Sequence, residues 1–256
     1  MKVVVLAGGK GTRLLPYTRI FPKPLIPIGE MPILEILIHQ MRRAGIGEVV
    51  LAVGHLSELM RAFFQDGSQL GVQISYCYED TPLGTAGPLA LVGGLDQTFL
   101  VSNGDVLTTL PIAEMIAAHK RSGAAATIAM HARQVKIDLG VIQLQGGRRR
   151  EDFQFTDQAA AEKPNGLHRV VDYIEKPAYD YLVSMGIYVF EPRVLNFIPK
   201  GQRLDFPDLV KALLAAGELV NGFRFSGYWQ DLGRPDDYEQ AVADFEAMRA
   251  EFLPED

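Results

Sequence analysis

Two segments near the start of the chain combine glycine or proline with basic side chains. Residues 6–13 read LAGGKGTR after an apolar run, and residues 21–25 read FPKPL, in which two prolines restrain Lys23. Glycine lets backbone N–H groups turn toward phosphate oxygens, and the planar guanidinium of Arg13 suits the same oxygens. The segments predict a phosphate-binding loop beside a restrained lysine. The alternatives are an ordinary glycine-rich turn and a surface linker with a solvated lysine.

The glycine spacing excludes two common phosphate loops. A P-loop needs Ser or Thr after its Gly-Lys pair, but Gly11 follows Lys10. The dinucleotide fingerprint needs a glycine three residues after Gly11, and Leu14 stands there. The second predicted strand also ends in AVGH (52–55), without the acidic ribose-binding residue of that fingerprint. We therefore set a dinucleotide-dependent oxidoreductase aside.

Three later segments offer groups for a base, a ribose and a metal. Residues 79–87 read EDTPLGTAG, whose small side chains permit close approach of a flat base or ribose at a helix start. Asp105 directly follows a buried strand, where a carboxylate can bind Mg²⁺, and Asp231 in the segment 227–235 is a second candidate. Asp105 could instead cap a turn, and the segment around Asp231 could be a packed aromatic turn.

The tripeptide Glu-Lys-Pro occurs twice, at 162–164 and at 175–177. The second copy lies between two apolar runs that are typical of strands, whereas the first lies in a polar segment beside an Asn-Gly turn. We therefore select Glu175 for sugar hydroxyls and Lys176 for a phosphate, and we treat the first copy as coincidence.

Strand-like and helix-like patterns alternate along most of the chain and predict an α/β fold. The expected architecture is a Rossmann-like, mostly parallel sheet with helices on both faces. Ligands bind beyond the carboxyl ends of such strands, and the unusual segments follow the first, third and fourth predicted strands. The predicted strands are 2–7, 48–53, 72–79, 98–102, 125–131, 141–145, 169–174, 184–190 and 220–225. The predicted helices are 33–44, 57–67, 85–92, 111–122, 207–216 and 235–252.

We predict a single domain over 1–256, with an inserted hairpin or loop at 146–168. The predicted C-terminal helix, 235–252, carries apolar residues along one face, so that face needs a partner in this chain or another. An exposed apolar stripe of this kind favours a homo-oligomer, either a dimer or a tetramer.

The composition is that of a globular protein. The chain has 256 residues, 48% hydrophobic and 22% charged, with a formal net charge of -6 at pH 7. This balance disfavours nucleic acid as a partner but permits a small polyanionic substrate. Cys77 is the single cysteine, which excludes an internal disulfide, and the apolar run 3–7 is too short for a signal-peptide core. We expect a cytoplasmic protein without a membrane segment.

Together these segments resemble the sugar-1-phosphate nucleotidyltransferases, also called nucleotide-sugar pyrophosphorylases. The resemblance begins with 6–13 and 21–25 and extends over nearly the whole chain. The sequences PLGTAG (82–87) and GYWQDLGRPDDY (227–238) most resemble those of the mannose-1-phosphate guanylyltransferases. The further matching segments are NGD (103–105), EKP (175–177), GIYVF (186–190) and WQDLG (229–233).

The resemblance implies a reversible reaction in which a sugar 1-phosphate attacks the α-phosphorus of a nucleoside triphosphate and pyrophosphate leaves. It implies GTP and mannose 1-phosphate as substrates and Mg²⁺ as cofactor. Arg13 and Lys23 would be catalytic by holding the triphosphate and the leaving pyrophosphate, and Asp105 and Asp231 would hold the metal. The implied nucleotide-binding residues are Leu6, Ala7, Gly8, Gly9, Gly11, Thr12, Glu79, Pro82, Gly84 and Thr85. The implied sugar-phosphate-binding residues are Gly140, Glu175 and Lys176.

Several alternatives stay open beside this reading. Thymidylyl- and uridylyltransferases share most of these residues, so the base is not fixed, and another phosphorylated alcohol could replace the sugar phosphate. A non-catalytic sugar-nucleotide sensor is the alternative of a different class, although Arg13, Lys23 and Asp105 are all retained. Many guanylyltransferases of this type carry a C-terminal β-helix of hexapeptide repeats. This chain ends at Asp256 after a single predicted helix, so we expect that domain to be missing.

Overall fold

The computed structural model describes residues 1–9, 11–14, 17–79, 81–145, 148–149, 155–156 and 166–254. The chain divides into two compact units: the larger is Met1–His131 with Ser184–Asp256, and the smaller is Ala132–Val183. The prediction of one domain over 1–256 stays a prediction. No helix among the described residues is long and apolar enough to cross a membrane.

The strands are β1 Lys2–Leu6, β2 Pro27–Ile28, β3 Met31–Pro32, β4 Glu48–Val53, β5 Gln73–Tyr78, β6 Phe99–Asn103, β7 Val106–Thr108, β8 Ala126–Lys136, β9 Val141–Leu144, β10 Arg148–Arg149, β11 Phe155–Thr156, β12 Val170–Ile174, β13 Ala178–Phe190, β14 Val220–Phe225 and β15 Trp229–Asp231. The α-helices are α1 Ile33–Arg43, α2 Ser57–Phe64, α3 Ile112–Ser122, α4 Phe206–Ala215, α5 Pro235–Ala247 and α6 Arg249–Phe252. Short 3₁₀ helices cover Thr12–Leu14, Tyr17–Arg19, Lys23–Leu25, Ser68–Leu70, Gly87–Leu91 and Pro192–Phe197.

A seven-stranded sheet forms the centre of the larger unit, in the order β14-β8-β13-β6-β1-β4-β5. The pairs β1–β4, β1–β6, β4–β5 and β8–β14 are parallel, and β13 runs antiparallel to β6. The central strands are continuously apolar because helices cover both faces of the sheet. The predicted Rossmann-like, mostly parallel α/β fold is therefore confirmed.

Successive side chains of β1 point to opposite faces of the sheet and join two different core clusters. Val3 and Val5 join the cluster that includes Leu37 of α1, whereas Val4 joins the cluster that includes Leu209 of α4. All five side chains are fully buried or nearly so, and each such burial stabilises the fold by roughly 1.5–3 kcal/mol. This two-sided packing fixes the strand ends from which the site loops emerge.

The α-helix predicted at 85–92 is wrong, because the structure forms a 3₁₀ helix, Gly87–Leu91, in its place. Ala86 N and Gly87 N donate to the carbonyl oxygen of Leu204, at 2.9 and 3.1 Å, which ties the start of this segment to a distant loop. Within the segment, Leu89 N donates to Ala86 O at 3.1 Å and Val92 N donates to Leu89 O at 3.3 Å, which is the hydrogen-bond pattern of a 3₁₀ helix.

The predicted C-terminal helix, 235–252, is broken at Met248, whose φ of -122° separates α5 from α6. The break lets Phe252 fold back so that its ring centroid lies 5.5 Å from that of Phe245. Both rings are buried in a cluster with residues of α1 and of β7, among them Ile36 and Leu107. The apolar stripe is thus covered by residues of its own chain, so it gives no support for a homo-oligomer, which stays a prediction.

The described part of the smaller unit contains one antiparallel pair that flanks the predicted insertion and a second pair that lies within it. β9 pairs with β12 through a register irregularity near Val170, and β10 pairs with β11. Ile137 N donates to the carbonyl oxygen of Pro177 at 3.0 Å, which joins the ends of β8 and β13. Most of the predicted insertion, namely 146–147, 150–154 and 157–165, lies outside the described residues.

Candidate active site

A cavity of about 830 Å³ lies at the carboxyl ends of β1, β4, β5 and β6 in the larger unit. Because parallel strands end at the same edge of a sheet, loops that are far apart in sequence meet there. The lining includes all ten predicted nucleotide-binding residues, together with Lys23 and Asp105. The prediction that the ligand site follows the first, third and fourth predicted strands thus corresponds to a real cavity.

The glycine-rich loop is held close to its neighbours by backbone contacts. Gly104 N donates to Leu6 O at 3.0 Å, and the hydroxyl of Thr18 donates to Gly11 O at 2.8 Å. Gly11 has a φ of +60°, and a Cβ there would lie 2.7 Å from the methyl carbon of Thr18, so only glycine fits. A Cβ on Gly9 would meet nothing within 4 Å, so the loop leaves open space above it.

Lys23 is held in a rigid turn beside the two predicted metal carboxylates. Its 3₁₀ helix is closed by the bond from Ile26 N to Lys23 O at 3.0 Å. The Lys23 ammonium forms an ion pair with Asp105 Oδ2 and lies 3.8 Å from Asp231 Oδ1. The Lys23 and Asp105 side chains are only 11% and 21% exposed, so water weakens their attraction less than it would at the surface.

Strand pairing explains how two aspartates so far apart in sequence meet at one lysine. β7 directly follows Asp105 and pairs antiparallel with β15, with Val106 opposite Asp231. Leu232 N also donates to Asp105 O at 3.2 Å. The two carboxylates therefore reach the same cation from adjacent strands.

The donor chemistry of this cluster fits Mg²⁺. Hard oxygen ligands suit this ion, which commonly takes one or two carboxylates and fills its other positions with water and phosphate oxygens. Asp105, which lines the cavity, and Asp231, whose Oδ1 lies 3.8 Å from the Lys23 ammonium, supply two such carboxylates. The described residues contain no group of three or more acidic, histidine or cysteine side chains that could hold a metal alone.

The opposite end of the cavity is formed by the loop after β5, which is anchored at both ends. Glu79 Oε2 accepts a hydrogen bond from Leu83 N at 3.0 Å. Thr85 N donates to Asp205 Oδ1 at 2.9 Å, and the Thr85 hydroxyl accepts from Phe206 N at 2.9 Å. Gly84 has a φ of +79°, where a side chain would be strained. The loop is thereby fixed to the start of α4.

The cavity also contains residues that the sequence-based prediction did not include among the site residues. Gly54 and His55 follow β4, so the rule about strand ends could have found them. Arg203 and Asp205 come from the loop before α4, and they are paired at 3.3 Å. No local pattern around these two residues indicates a role in binding. The other lining residues outside the prediction are Leu14, Pro24, Asn103 and Gly233.

Arg13 and the predicted sugar-phosphate residues are described separately from the lining of this cavity. The backbone of Arg13 belongs to the 3₁₀ helix Thr12–Leu14, and its side chain lies outside the described residues. Gly140, Glu175 and Lys176 belong to the smaller unit. There the Tyr173 hydroxyl donates to Glu175 Oε2 at 3.3 Å, and its ring fills the space that a side chain at Gly140 would need.

A model of the nucleotidyl transferase family matches residues 2–248, which is nearly the whole chain. The chain belongs to the nucleotidyl transferase family. This membership confirms the resemblance inferred from the glycine-rich loop and the later motifs.

Relatives of this nucleotidyl transferase are named for reactions with different substrates. The chain is 34% identical over 262 residues to a UTP–glucose-1-phosphate uridylyltransferase of Synechocystis sp., with 94% of this chain and 62% of that protein covered. It is 36% identical over 248 residues to a mannose-1-phosphate guanylyltransferase of Mycobacterium tuberculosis, with 94% and 63% covered. The chain thus spans less than two thirds of the length of these relatives.

Solved structures support the same fold. A protein from Bacillus anthracis with the provisional name glucose-1-phosphate thymidylyltransferase superposes with a TM-score of 0.71. The sequence identity is 23%, and the match covers 95% of this chain and 94% of the other. This likeness concerns the fold of the nucleotidyl transferase and leaves its substrates open.

Proposed function

We propose that this nucleotidyl transferase joins a nucleoside triphosphate to a sugar 1-phosphate and releases pyrophosphate, with GTP and mannose 1-phosphate as the preferred pair. The observation that carries the proposal is the cavity itself. It places the glycine-rich loop between the ion cluster of Lys23 and Asp105 and the anchored loop at Glu79. An extended nucleotide can lie along this edge with its phosphates at the cluster and its base at Glu79.

The reaction needs positive charge more than it needs a nucleophile on the protein. The phosphate of the sugar attacks the α-phosphorus in line, and the departing pyrophosphate takes the negative charge. The restrained Lys23 ammonium and the Arg13 guanidinium are the groups of this chain that would hold the triphosphate and the leaving pyrophosphate. Asp105 and Asp231 would hold Mg²⁺, which supplies positive charge next to the phosphates when it is bound.

Preference for guanine is supported by the chemistry of Glu79. One carboxylate oxygen is used by Leu83 N, and the other lies beside Gly8 in the cavity wall. A carboxylate only accepts hydrogen bonds, and guanine presents two adjacent donors, N1–H and the N2 amine. Uracil and thymine present one donor on the corresponding edge. A relative named as a mannose-1-phosphate guanylyltransferase, at 36% identity, points the same way.

Uridylyl transfer to glucose 1-phosphate is the second candidate. Its support is the relative from Synechocystis sp., which is named for that reaction and is 34% identical. In both candidates, Gly140, Glu175 and Lys176 are proposed to bind the sugar phosphate, with Glu175 at the sugar hydroxyls and Lys176 at the phosphate.

The test is pyrophosphate release with Mg²⁺ over a grid of GTP, UTP, dTTP, CTP and ATP against mannose, glucose and N-acetylglucosamine 1-phosphates. We expect GTP with mannose 1-phosphate to give the highest rate. Asp105→Asn should lower that rate by about 100-fold or more, because it removes a charged metal ligand. Asp96→Asn, an exposed aspartate at the opposite end of the sheet, is the matched control and should keep the wild-type rate.

The grid has three other outcomes. A highest rate with UTP and glucose 1-phosphate would replace the first candidate with the second. A rate that survives Asp105→Asn would contradict the proposed metal site. Absence of product throughout, with triphosphates still raising the melting temperature, would favour the non-catalytic sensor.

A further inference from the structure

Lys23 serves as the counter-ion of both acidic groups that would hold a metal. Its ammonium is paired with Asp105 Oδ2 and lies 3.8 Å from Asp231 Oδ1. The side chain is largely shielded, and the turn closed by Ile26 N restricts where its backbone can go. The lysine therefore occupies the position in which a divalent cation bound by both carboxylates would lie.

A divalent ion and the Lys23 ammonium cannot both bind closely to the same two carboxylates. A divalent ion held by Asp105 and Asp231 would lie within a few ångströms of the Lys23 ammonium, and like charges at that range repel strongly in a shielded site. The ion must therefore displace the ammonium from the carboxylates. The displaced ammonium needs a new anionic partner, and the phosphates of a nucleotide in the same cavity can supply one.

We propose that Lys23 blocks the metal site of the free protein and releases it when a triphosphate arrives. Triphosphate oxygens take over the ammonium, the two carboxylates become available, and metal and triphosphate then bind cooperatively. Coupling of this kind is reciprocal, so the metal also strengthens binding of the triphosphate. The inference rests on the proposed function for the identity of the phosphate ligand, but not for the competition between lysine and metal.

The competition can be measured without nucleotide or catalysis. Mn²⁺ replaces Mg²⁺ as the probe, and electron paramagnetic resonance counts unbound Mn²⁺ during titration of the full chain. We expect Lys23→Met to bind Mn²⁺ about tenfold tighter than wild type, or more, because the repelling charge is gone. Lys23→Gln is a second variant, for use if methionine disturbs the turn, and both should unfold in one transition near the wild-type temperature.

Matched variants separate this effect from a general loss of positive charge. Lys2→Met removes a lysine that pairs with Glu48 at 3.7 Å in the same unit, and its Mn²⁺ affinity should equal that of wild type. Combining Lys23→Met with Asp105→Asn should abolish the gain. Folded Lys23 variants that bind Mn²⁺ no tighter than wild type, or a gain that survives Asp105→Asn, would overturn the proposal.

The outcome is distinguishable from failure of the proposed function. Tight Mn²⁺ binding by Lys23→Met together with an inactive substrate grid would leave the lysine block standing and remove the proposed reaction. Product formation in the substrate grid together with unchanged Mn²⁺ binding by Lys23→Met would support the proposed reaction and remove the lysine block.

Discussion

At the residue scale, Glu79 combines a structural contact with a proposed contact to substrate. One carboxylate oxygen accepts from Leu83 N at 3.0 Å and holds the loop after β5. The other oxygen is close enough to Gly8 that a Cβ there would lie 2.9 Å away, which keeps this part of the cavity narrow. A flat base enters such a gap more readily than a bulky group does.

Glu79→Gln tests base preference with little change in shape. The glutamine carbonyl can keep the bond to Leu83 N, while its amide replaces the second acceptor with a donor. A hydrogen bond to a charged acceptor contributes roughly 1.5–3 kcal/mol. We therefore expect the ratio of kcat/KM for GTP to that for UTP to fall by about tenfold or more.

Glu48→Gln is the control for Glu79→Gln, because Glu48 lies at the start of β4, at the other end of the sheet. Its GTP-to-UTP ratio should equal that of wild type. An unchanged ratio in Glu79→Gln would place recognition of the base elsewhere in the cavity.

At the scale of elements, α4 begins with a cap supplied by a distant loop. Asp205 at the N-cap makes no capping bond with its own side chain, and Phe206 N donates to the hydroxyl of Thr85 instead. The same threonine binds Asp205 through its backbone N–H. Thr85 thus joins the cavity loop after β5 to the start of α4. A change that loosens this loop should therefore also destabilise the helix start.

Thr85→Val removes the hydroxyl and keeps the side-chain shape. Phe206 N then loses its acceptor, and loss of a helix cap costs about 1 kcal/mol. We expect the free energy of unfolding in urea to fall by about that amount. Thr81→Val, at an exposed position in the same loop, should change it by less than about 0.5 kcal/mol. Equal losses in the two variants would rule out the cap as the cause.

At the scale of the whole molecule, a buried polar cluster ties four segments of the larger unit together. His119 of α3 is 1% exposed; its Nδ1 lies 2.8 Å from the hydroxyl of Thr127 and its Nε2 lies 3.2 Å from Glu191 Oε1. Thr98 donates to the same carboxylate oxygen at 2.7 Å. Burial lowers the pKa of His119, and this outweighs the opposite effect of Glu191.

This lowered pKa makes stability depend on pH with a defined sign. The unfolded chain binds a proton at His119 near the ordinary pKa of about 6.5, whereas the folded chain takes it up only at lower pH. The unfolded state thus binds more protons below about pH 6.5, so the free energy of unfolding falls as pH falls through this range. The loss continues until the pH passes the lowered pKa of the folded state.

His119→Gln should flatten this dependence, because glutamine does not titrate, although it also lowers stability at neutral pH. The measurement is urea unfolding at intervals between about pH 7.5 and about pH 5.5. A slope in His119→Gln equal to that of wild type would assign the pH dependence to other groups.

The sequence by itself determined the local chemistry of this protein. The glycine-rich loop, the prolines beside Lys23 and the alternation of strands and helices all follow from restrictions on neighbouring residues, so they can be recognised without a structure. Such restrictions predicted the α/β sheet, and the family resemblance that they support named ten residues that line the cavity.

Only the tertiary structure decided which distant groups meet. The pairing of β7 with β15 brings Asp231 to Asp105, and nothing near either residue in the sequence specifies that register. Arg203 reaches the cavity through contacts of its loop with residues more than a hundred positions earlier, and the break at Met248 lets Phe252 cover the stripe of α5. These features depend on the packing of segments far apart in the chain, and local sequence patterns do not predict such packing.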